Sequence, residues 1–398
     1  MVQPLALRRI STIAALAVLA ALALAPRTAA AGSIPTVPTG FVGVVVGAPL
    51  FPNTDVSIDL DSQLNAMISS GVQSLRVPID WASCQPYSKW SKVPLDQRDL
   101  FTGVGGIPTN FTLIDQVVAE SARRGVTLMP MILDAPKWDA VHAKGGVVAI
   151  PRQAGPYARF LAALATRYGP HGTFWQGFSG PVLPVRMWQI WNEPNIAPFW
   201  PLQPFARRYV ALLKAAHDAL KKVDRGAKVI LAGLPNYSWR SLQRIYAIPG
   251  ARSLFDVVAV HPYTKTPQGV LTILSFVRQV MNSAGDPNKP MVADEVSWPS
   301  SLGKTIHNTG YDFATTEAGQ ARNIATLLPL LAQKRRSLKL QGFYYYTWVS
   351  VERRNGLAFD FAGLLKVVGG QLTPKPALRA FAHAAVAIEG CQPVLTIC

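Results

Sequence analysis

Along the chain, short uninterrupted apolar runs alternate with longer stretches whose apolar residues recur at helical spacing. Residues 41–48 (FVGVVVGA) show no polar alternation, as expected of a strand covered on both faces. A helical stretch follows over 59–70, with Gly71 placed to end it. The pair then repeats: a strand at 74–81 with a helix over 111–124, capped by Thr109 or Asn110 and ended by Gly125. Strands at 126–133, 185–191, 228–234, 256–260, 291–295 and 342–349 precede helices over 156–168, 205–223, 241–247, 270–283, 317–333 and 376–388. Eight strand–helix units predict an α/β fold, a single-domain (β/α)8 TIM barrel over residues 32–390. The main alternative, a doubly wound open sheet, calls for a glycine-rich phosphate turn after its first strand. The chain offers Pro49-Leu50-Phe51-Pro52 there, so the barrel is preferred.

The N-terminus breaks the alternation. Arg8 and Arg9 lead into an apolar run of Ala, Leu, Val and Ile, and then to Ala29-Ala30-Ala31. That order describes a secretory signal peptide over residues 1–31, cleaved near Ala31, rather than a membrane span. A secreted, extracellular protein is expected, and the paired arginines are compatible with twin-arginine export. In an oxidising compartment Cys391 and Cys398 could close a disulfide within a C-terminal tail, 391–398, which would leave Cys84 unpaired.

Charge comes next. The 398 residues carry 39 Lys and Arg against 22 Asp and Glu, a formal charge of +17. Without Arg8, Arg9 and Arg27 it falls to about +14. The remaining basic pairs, such as Arg207-Arg208 and Lys221-Lys222, fall mostly on or beside predicted helices. This reads as a solvated outer face and not as a nucleic-acid groove. Loose attraction to an anionic cell-wall or extracellular polymer remains compatible with it.

Against this basic background, two acids stand where apolar strands stop. Strand four ends Trp188-Gln189-Ile190-Trp191-Asn192-Glu193-Pro194, and strand seven ends Met291-Val292-Ala293-Asp294-Glu295-Val296-Ser297-Trp298. In a barrel, polar residues at the C-terminal strand ends line the rim that carries chemistry. Each Glu alone would read as a cap or an ion pair. Together, on strands three apart, they could face each other across a cleft, as glycosidic hydrolysis requires of its two carboxyl groups.

Trp191-Asn192-Glu193-Pro194 followed by Glu295-Val296-Ser297-Trp298 resembles the retaining β-glycosidases of glycoside hydrolase clan A, closest to family 39 and its relatives, with family 5 next. Gly71 to Trp81, His261-Pro262-Tyr263, Trp348, Gly363-Leu364-Leu365 and Pro374 to Leu378 are similar to the family's segments in the same order. The resemblance implies Glu193 as general acid/base and Glu295 as nucleophile. It places Arg76 beneath the catalytic centre and Trp348 at the floor of the central subsite. Asn192 would bond the sugar 2-hydroxyl, while Arg76 and Tyr263 would hold Glu295 ionised and His261 would join the same polar network. For Arg76 the competing reading is an ion pair with Asp80 or another strand end. One departure stands out: Asp294 replaces the usual Thr or Ser before the nucleophile. Regular alternation turns Asp294 away from the cleft, whereas a register slip would let it compete with Glu295.

Tryptophans crowd the strand ends, and Trp81, Trp138, Trp298 and Trp348 are candidates for stacking on sugar, with core packing as the competing role. Asp134 is open between a sugar hydroxyl and a turn cap. No H-E-x-x-H, C-x-x-C, G-x-S-x-G or P-loop pattern occurs, so no metal ligands and no organic cofactor are expected. The expectation is a monomeric hydrolase of β-linked oligo- or polysaccharide or glycoconjugate, with no membrane span. A transglycosylase on the same site and a silent carbohydrate-binding barrel are the competing functions. Sugar identity lies in the loops 85–110, 139–152 and 297–316.

Overall fold

The computed structural model describes residues 37–47, 58–141, 145–307 and 312–390. The segments predicted as signal peptide and as disulfide-bearing tail lie outside these residues, so neither is described, and Ala48 at the end of the first predicted strand lies outside them too. Among the described residues no helix is long and apolar enough to cross a membrane.

Eight parallel strands form one sheet: β1 (Val42–Val45), β2 (Ser74–Asp80), β3 (Thr127–Leu133), β4 (Met187–Ile190), β5 (Lys228–Ile230), β6 (Val258–Val260), β7 (Met291–Val296) and β8 (Leu340–Tyr345). Each pairs with its sequence neighbour, and β8 pairs back onto β1, with Val42 opposite Phe343. The seam between β5 and β6 is bridged at Ile230–Val257 and Leu234–Val260, which closes the barrel. Helices α1 (Leu60–Ser69), α2 (Thr112–Arg123), α3 (Ala154–Tyr168), α4 (Ala206–Val223), α5 (Ser238–Tyr246), α6 (Pro267–Ser283), α7 (Glu317–Leu338) and α8 (Pro376–Glu389) follow the strands in turn. The (β/α)8 TIM barrel expected from the alternation is the observed architecture.

Local signals worked where their physics is local. Asp59 caps α1 by accepting from Ser62 N at 2.8 Å, and Gly71 takes the left-handed conformation (φ 82°) that ends it. Asn110 Oδ1 accepts from Thr112 N at 2.9 Å at the start of α2. Other boundaries moved. The strand predicted over 342–349 stops at Tyr345, because Val349–Val351 leaves the barrel to pair with Leu365–Val368 in a separate small sheet completed by Gln371–Pro374. The loops 85–110 and 139–152 each contain a short antiparallel hairpin, Thr102–Val104 with Ile107–Thr109 and Ala140–Val141 with Ile150–Pro151.

What fills the barrel changes with height. Its interior holds a small apolar cluster of Val45, Met129, Ile230, Ala259, Val292 and Tyr344, distinct from the main core between strands and helices. Gly43 permits this packing, since a Cβ there would meet the Tyr344 ring at 2.5 Å. Toward the C-terminal strand ends the interior turns polar, with Arg76 on β2, Gln189 on β4 and Asp294 on β7, all essentially inaccessible to solvent. Such a layer exists only if its groups satisfy one another.

Candidate active site

Arg76 organises the polar layer. Its Nε donates to Gln189 Oε1 (2.6 Å), its Nη1 to Glu295 Oε1 (2.6 Å), and its Nη2 to Asn192 Oδ1 (2.8 Å) and Met131 Sδ (2.8 Å). Nε also lies 3.2 Å from Asp294 Oδ2. The guanidinium therefore touches strands two, three, four and seven. Its ion pairs are with Glu295 and Asp294; Asp80 instead caps the one-turn helix Trp81–Cys84 through Ser83 N.

Asp294 corrects the expectation of regular alternation. It points into the barrel beneath the cleft, where Oδ2 accepts from Gln189 Nε2 at 2.6 Å and meets His261 Nε2 at 3.2 Å. A register shift between β7 and β8 is the cause: Ala293 pairs with Phe343 but Val296 with Tyr345, so β7 holds one extra residue. That bulge lets consecutive acids reach the same arginine. Burial raises the Asp294 pKa, but the charges of His261 and Arg76 and the bonds from His261 and Gln189 outweigh it and hold the carboxyl below its usual range.

His261 lies between the acids. Its Nδ1 is 2.6 Å from Glu193 Oε1 and 3.5 Å from Glu295 Oε2. Burial would lower its pKa; Glu295, Asp294 and the bonds to Asp294 and Glu193 prevail and raise it to about 10. The ring is thus an imidazolium donating from both nitrogens at neutral pH. Gly233 makes room for it, because a Cβ there would sit 1.9 Å from His261 Nε2.

Glu193 follows β4 in an unusual backbone. Trp191 (φ 74°) and Glu193 (φ 43°) both occupy the left-handed region, which bulky L-residues avoid. The surroundings hold them there: Trp191 Nε1 donates to Phe199 O at 2.9 Å, Glu193 N donates to Gly233 O at 3.1 Å, and Ile196 N donates to Glu193 O at 3.2 Å. Glu193 is 8% exposed, and desolvation raises its pKa despite the His261 bond and charge. Glu295, 7% exposed, is held instead by Arg76 on one oxygen and by Tyr263 Oη on the other (2.7 Å). Burial and the Glu295 charge push the Tyr263 phenol well above its usual pKa, so it stays a donor. Oxygens of Glu193 and Glu295 lie within 4.8 Å of each other and of a His261 ring nitrogen. Three such groups could surround a cation, yet one Glu295 oxygen is already paired with Arg76 at 2.6 Å.

The site thus brings together Glu193, Glu295, Arg76, Asn192, His261 and Tyr263. With its carbonyl on Arg76, Asn192 has its amide NH2 left for a ligand. The other candidates sit elsewhere in the packing. Trp81, Trp298 and Trp348 are fully buried, their ring N–H groups donating to Gln85, Thr264 and Gln63 respectively. None shows a face to a ligand in this structure. Half-buried Trp138 packs edge-on against Trp81 at 5.8 Å and donates to Gln85 O. Asp134 accepts from Ala149 N, fifteen residues on, at 2.7 Å, and so ties the two ends of its loop together.

Two groups of contributors went unread. Gln189 ties Arg76 to Asp294, and its signal was a lone amide in the apolar strand Met187–Ile190. Around Tyr263 gather Phe313 (stacked, 5.3 Å), Phe359 (5.1 Å) and, beyond Phe359, Tyr346 (5.6 Å). The half-exposed Tyr346 feels the charges of both Glu295 and Glu193. These rings come from three separate loops or strand ends, so no local pattern joins them.

No protein-family model matches the chain, and no curated protein matches it. Solved structures do resemble it. A family 39 glycoside hydrolase from Bacteroides cellulosilyticus WH2 is 18% identical over 88% of this chain and 65% of its own, with a TM-score of 0.59. A monomeric beta-xylosidase from Caulobacter crescentus CB15 is 18% identical over 88% of this chain and 68% of its own, with a TM-score of 0.60. A glucosidase from Croceicoccus marinus is 16% identical over 88% of this chain and 67% of its own, with a TM-score of 0.62. This chain therefore spans only about two thirds of the length of these proteins, and at such identity what it shares with them is the barrel fold.

Proposed function

We propose that the chain is a secreted retaining β-glycosidase, a clan A enzyme near family 39, with Glu193 as general acid/base and Glu295 as nucleophile. One observation carries the reading: at the ends of β4 and β7 one oxygen of each carboxylate lies within 4.8 Å of one of the other's, in contrasting surroundings. Retaining enzymes hold their carboxyl groups roughly 5–5.5 Å apart, and inverting ones leave room for water at roughly 6.5–9.5 Å. The fold neighbours, named as a glycoside hydrolase, a xylosidase and a glucosidase, favour carbohydrate as the substrate class. The signal-like N-terminus supports export.

In this mechanism Glu193, its pKa raised by desolvation, gives its proton to the leaving oxygen while Glu295 attacks the anomeric carbon. Arg76 and Tyr263 orient the Glu295 oxygens, and the Asn192 amide is free to bond the hydroxyl beside the reacting carbon. Water then displaces Glu295 from the glycosyl-enzyme, with Glu193 now accepting its proton. A panel of aryl β-glycosides and polysaccharides, with the product anomer followed by NMR, tests the proposal. Net retention is expected; inversion, or no hydrolysis across the panel, would sink it.

A further inference from the structure

Outside the catalytic rim, the wall between α5 and α6 carries a second groove of about 840 Å³. Trp239 and Phe276 line it, their rings 5.0 Å apart, along with the exposed amides of Gln243 and Gln279 and the guanidinium of Arg252. Tyr237, 63% exposed, stands 5.5 Å from Trp239 and extends the row of rings toward the barrel rim, since it follows Leu234, the last bridged residue after β5. Tyr237 and Phe276 are exposed and Trp239 between them is half-buried, an apolar patch of the kind that marks a binding surface.

The backbone is also strained here. Asn236 (φ 41°) and Tyr237 (φ 45°) are consecutive left-handed residues that hold the Tyr237 ring out from the wall. Arg240 stacks over that ring at 5.1 Å. No acidic residue lines the groove. Asp286, which the groove residue Tyr246 reaches through its hydroxyl (2.9 Å), is also paired with Lys289 (2.7 Å). Arg252 donates to the backbone oxygens of Ala284 (3.2 Å) and Gly285 (3.5 Å) at the C-terminal end of α6, and among the described residues it pairs with no carboxylate.

We infer that this groove is a second binding site, for a β-linked polysaccharide bearing carboxylate groups, which holds the polymer on the outer wall of the barrel, from Tyr237 at the rim side down to the C-terminal ends of α5 and α6. Ring faces suit the C–H faces of pyranoses, side-chain amides suit their hydroxyls, and an acid-free surface with guanidinium charge suits carboxylate. A purely apolar protein contact would explain the rings but not the amides and arginine that line the same groove. The inference rests on the glycosidase reading for its substrate class, but the groove can be tested separately.

The test is affinity electrophoresis of the Glu295→Gln protein, which leaves polymer intact, through gels containing carboxymethyl cellulose or hydroxyethyl cellulose. The two share a β-linked backbone and differ in charge. Stronger retardation by the carboxylated polymer is expected. Trp239→Ala should weaken it about tenfold, the loss of one stacked ring. The exposed Gln279→Glu variant, which places a negative charge in the groove, should weaken binding to the carboxylated polymer and leave the neutral one unchanged. Retardation unaffected by both variants, or equal in the two gels, would overturn the inference. With Glu295 intact, Trp239→Ala should hydrolyse a small aryl β-glycoside as wild type does. Absence of that hydrolysis in wild type would count against the catalytic reading, while the gels still report on the groove.

Discussion

The ends of strands four and seven carry the same residue in opposite settings. Glu193 sits on a strained left-handed turn, is nearly desolvated, and has one close polar partner for its carboxylate, His261. Glu295 follows a bulge, and its two oxygens are engaged separately by a guanidinium and a phenol. Desolvation raises the Glu193 pKa and suits an acid, whereas two separate donors fix the direction of the Glu295 oxygens. Sequence identity is the same at both positions; the neighbours divide the labour. The contrast is what assigns the roles, and removing each part of it should produce a different kind of loss.

The largest loss is expected from Glu295→Ala. Without a nucleophile, turnover should fall roughly 10⁴-fold or more for every leaving group. A loss confined to poor leaving groups would exchange the proposed roles. Glu193→Ala should behave in that selective way. Slow hydrolysis of alkyl and sugar leaving groups is expected, with a deficit of about 10²–10⁴-fold, while a dinitrophenyl glycoside, which departs without a proton, forms its glycosyl-enzyme nearly as fast as in wild type. Pre-steady-state bursts with the two substrate classes would separate the outcomes.

Asp294→Asn tests whether the buried layer keeps the two settings distinct. It removes the counter-ion that Arg76 and His261 share and leaves two buried cations with one fewer anion. Breaking a buried pair in this way costs about 3–5 kcal/mol, so chemical denaturation should show a large fall in stability. Unchanged stability would mean that Asp294 only fills space. Activity should fall less than for either glutamate, since Asp294 is fully buried and acts through its partners.

The failures of sequence reading are physical and specific. Strands covered on both faces announce themselves as apolar runs, so the barrel was legible, as were the two glutamates that interrupt those runs at their ends. Arg76 was legible for the same reason, being a cation in the middle of SLRVPID. Tryptophan gave the wrong emphasis. A large ring near a strand end is chemically able to stack on sugar, yet Trp81, Trp298 and Trp348 each turned inward to bond a protein oxygen. Which way a ring turns depends on neighbours distant in sequence. Asp294 failed for a related reason: its direction follows from a register shift against β8, and register belongs to the pair of strands rather than to either one.

The last expected effect concerns pH, and it probes the residue that joins the two settings. His261 has a folded pKa raised from 6.5 to about 10. The folded state therefore binds a proton that the unfolded chain releases, and the sign follows from linkage. Its contribution to stability is fully present below about pH 6.5 and is lost as pH rises through about 10. Other buried groups titrate in the same window with either sign: Lys375 is lowered to about 8 and Glu389 is raised to about 8, both by desolvation. Only a difference isolates the histidine. The stability advantage of wild type over His261→Gln, followed by denaturation from pH 6 to pH 10, should shrink as pH rises. A gap that stayed constant would mean that the ring is held neutral. Glu193 would then lose the cationic neighbour that opposes its desolvation, and its contrast with Glu295 would sharpen.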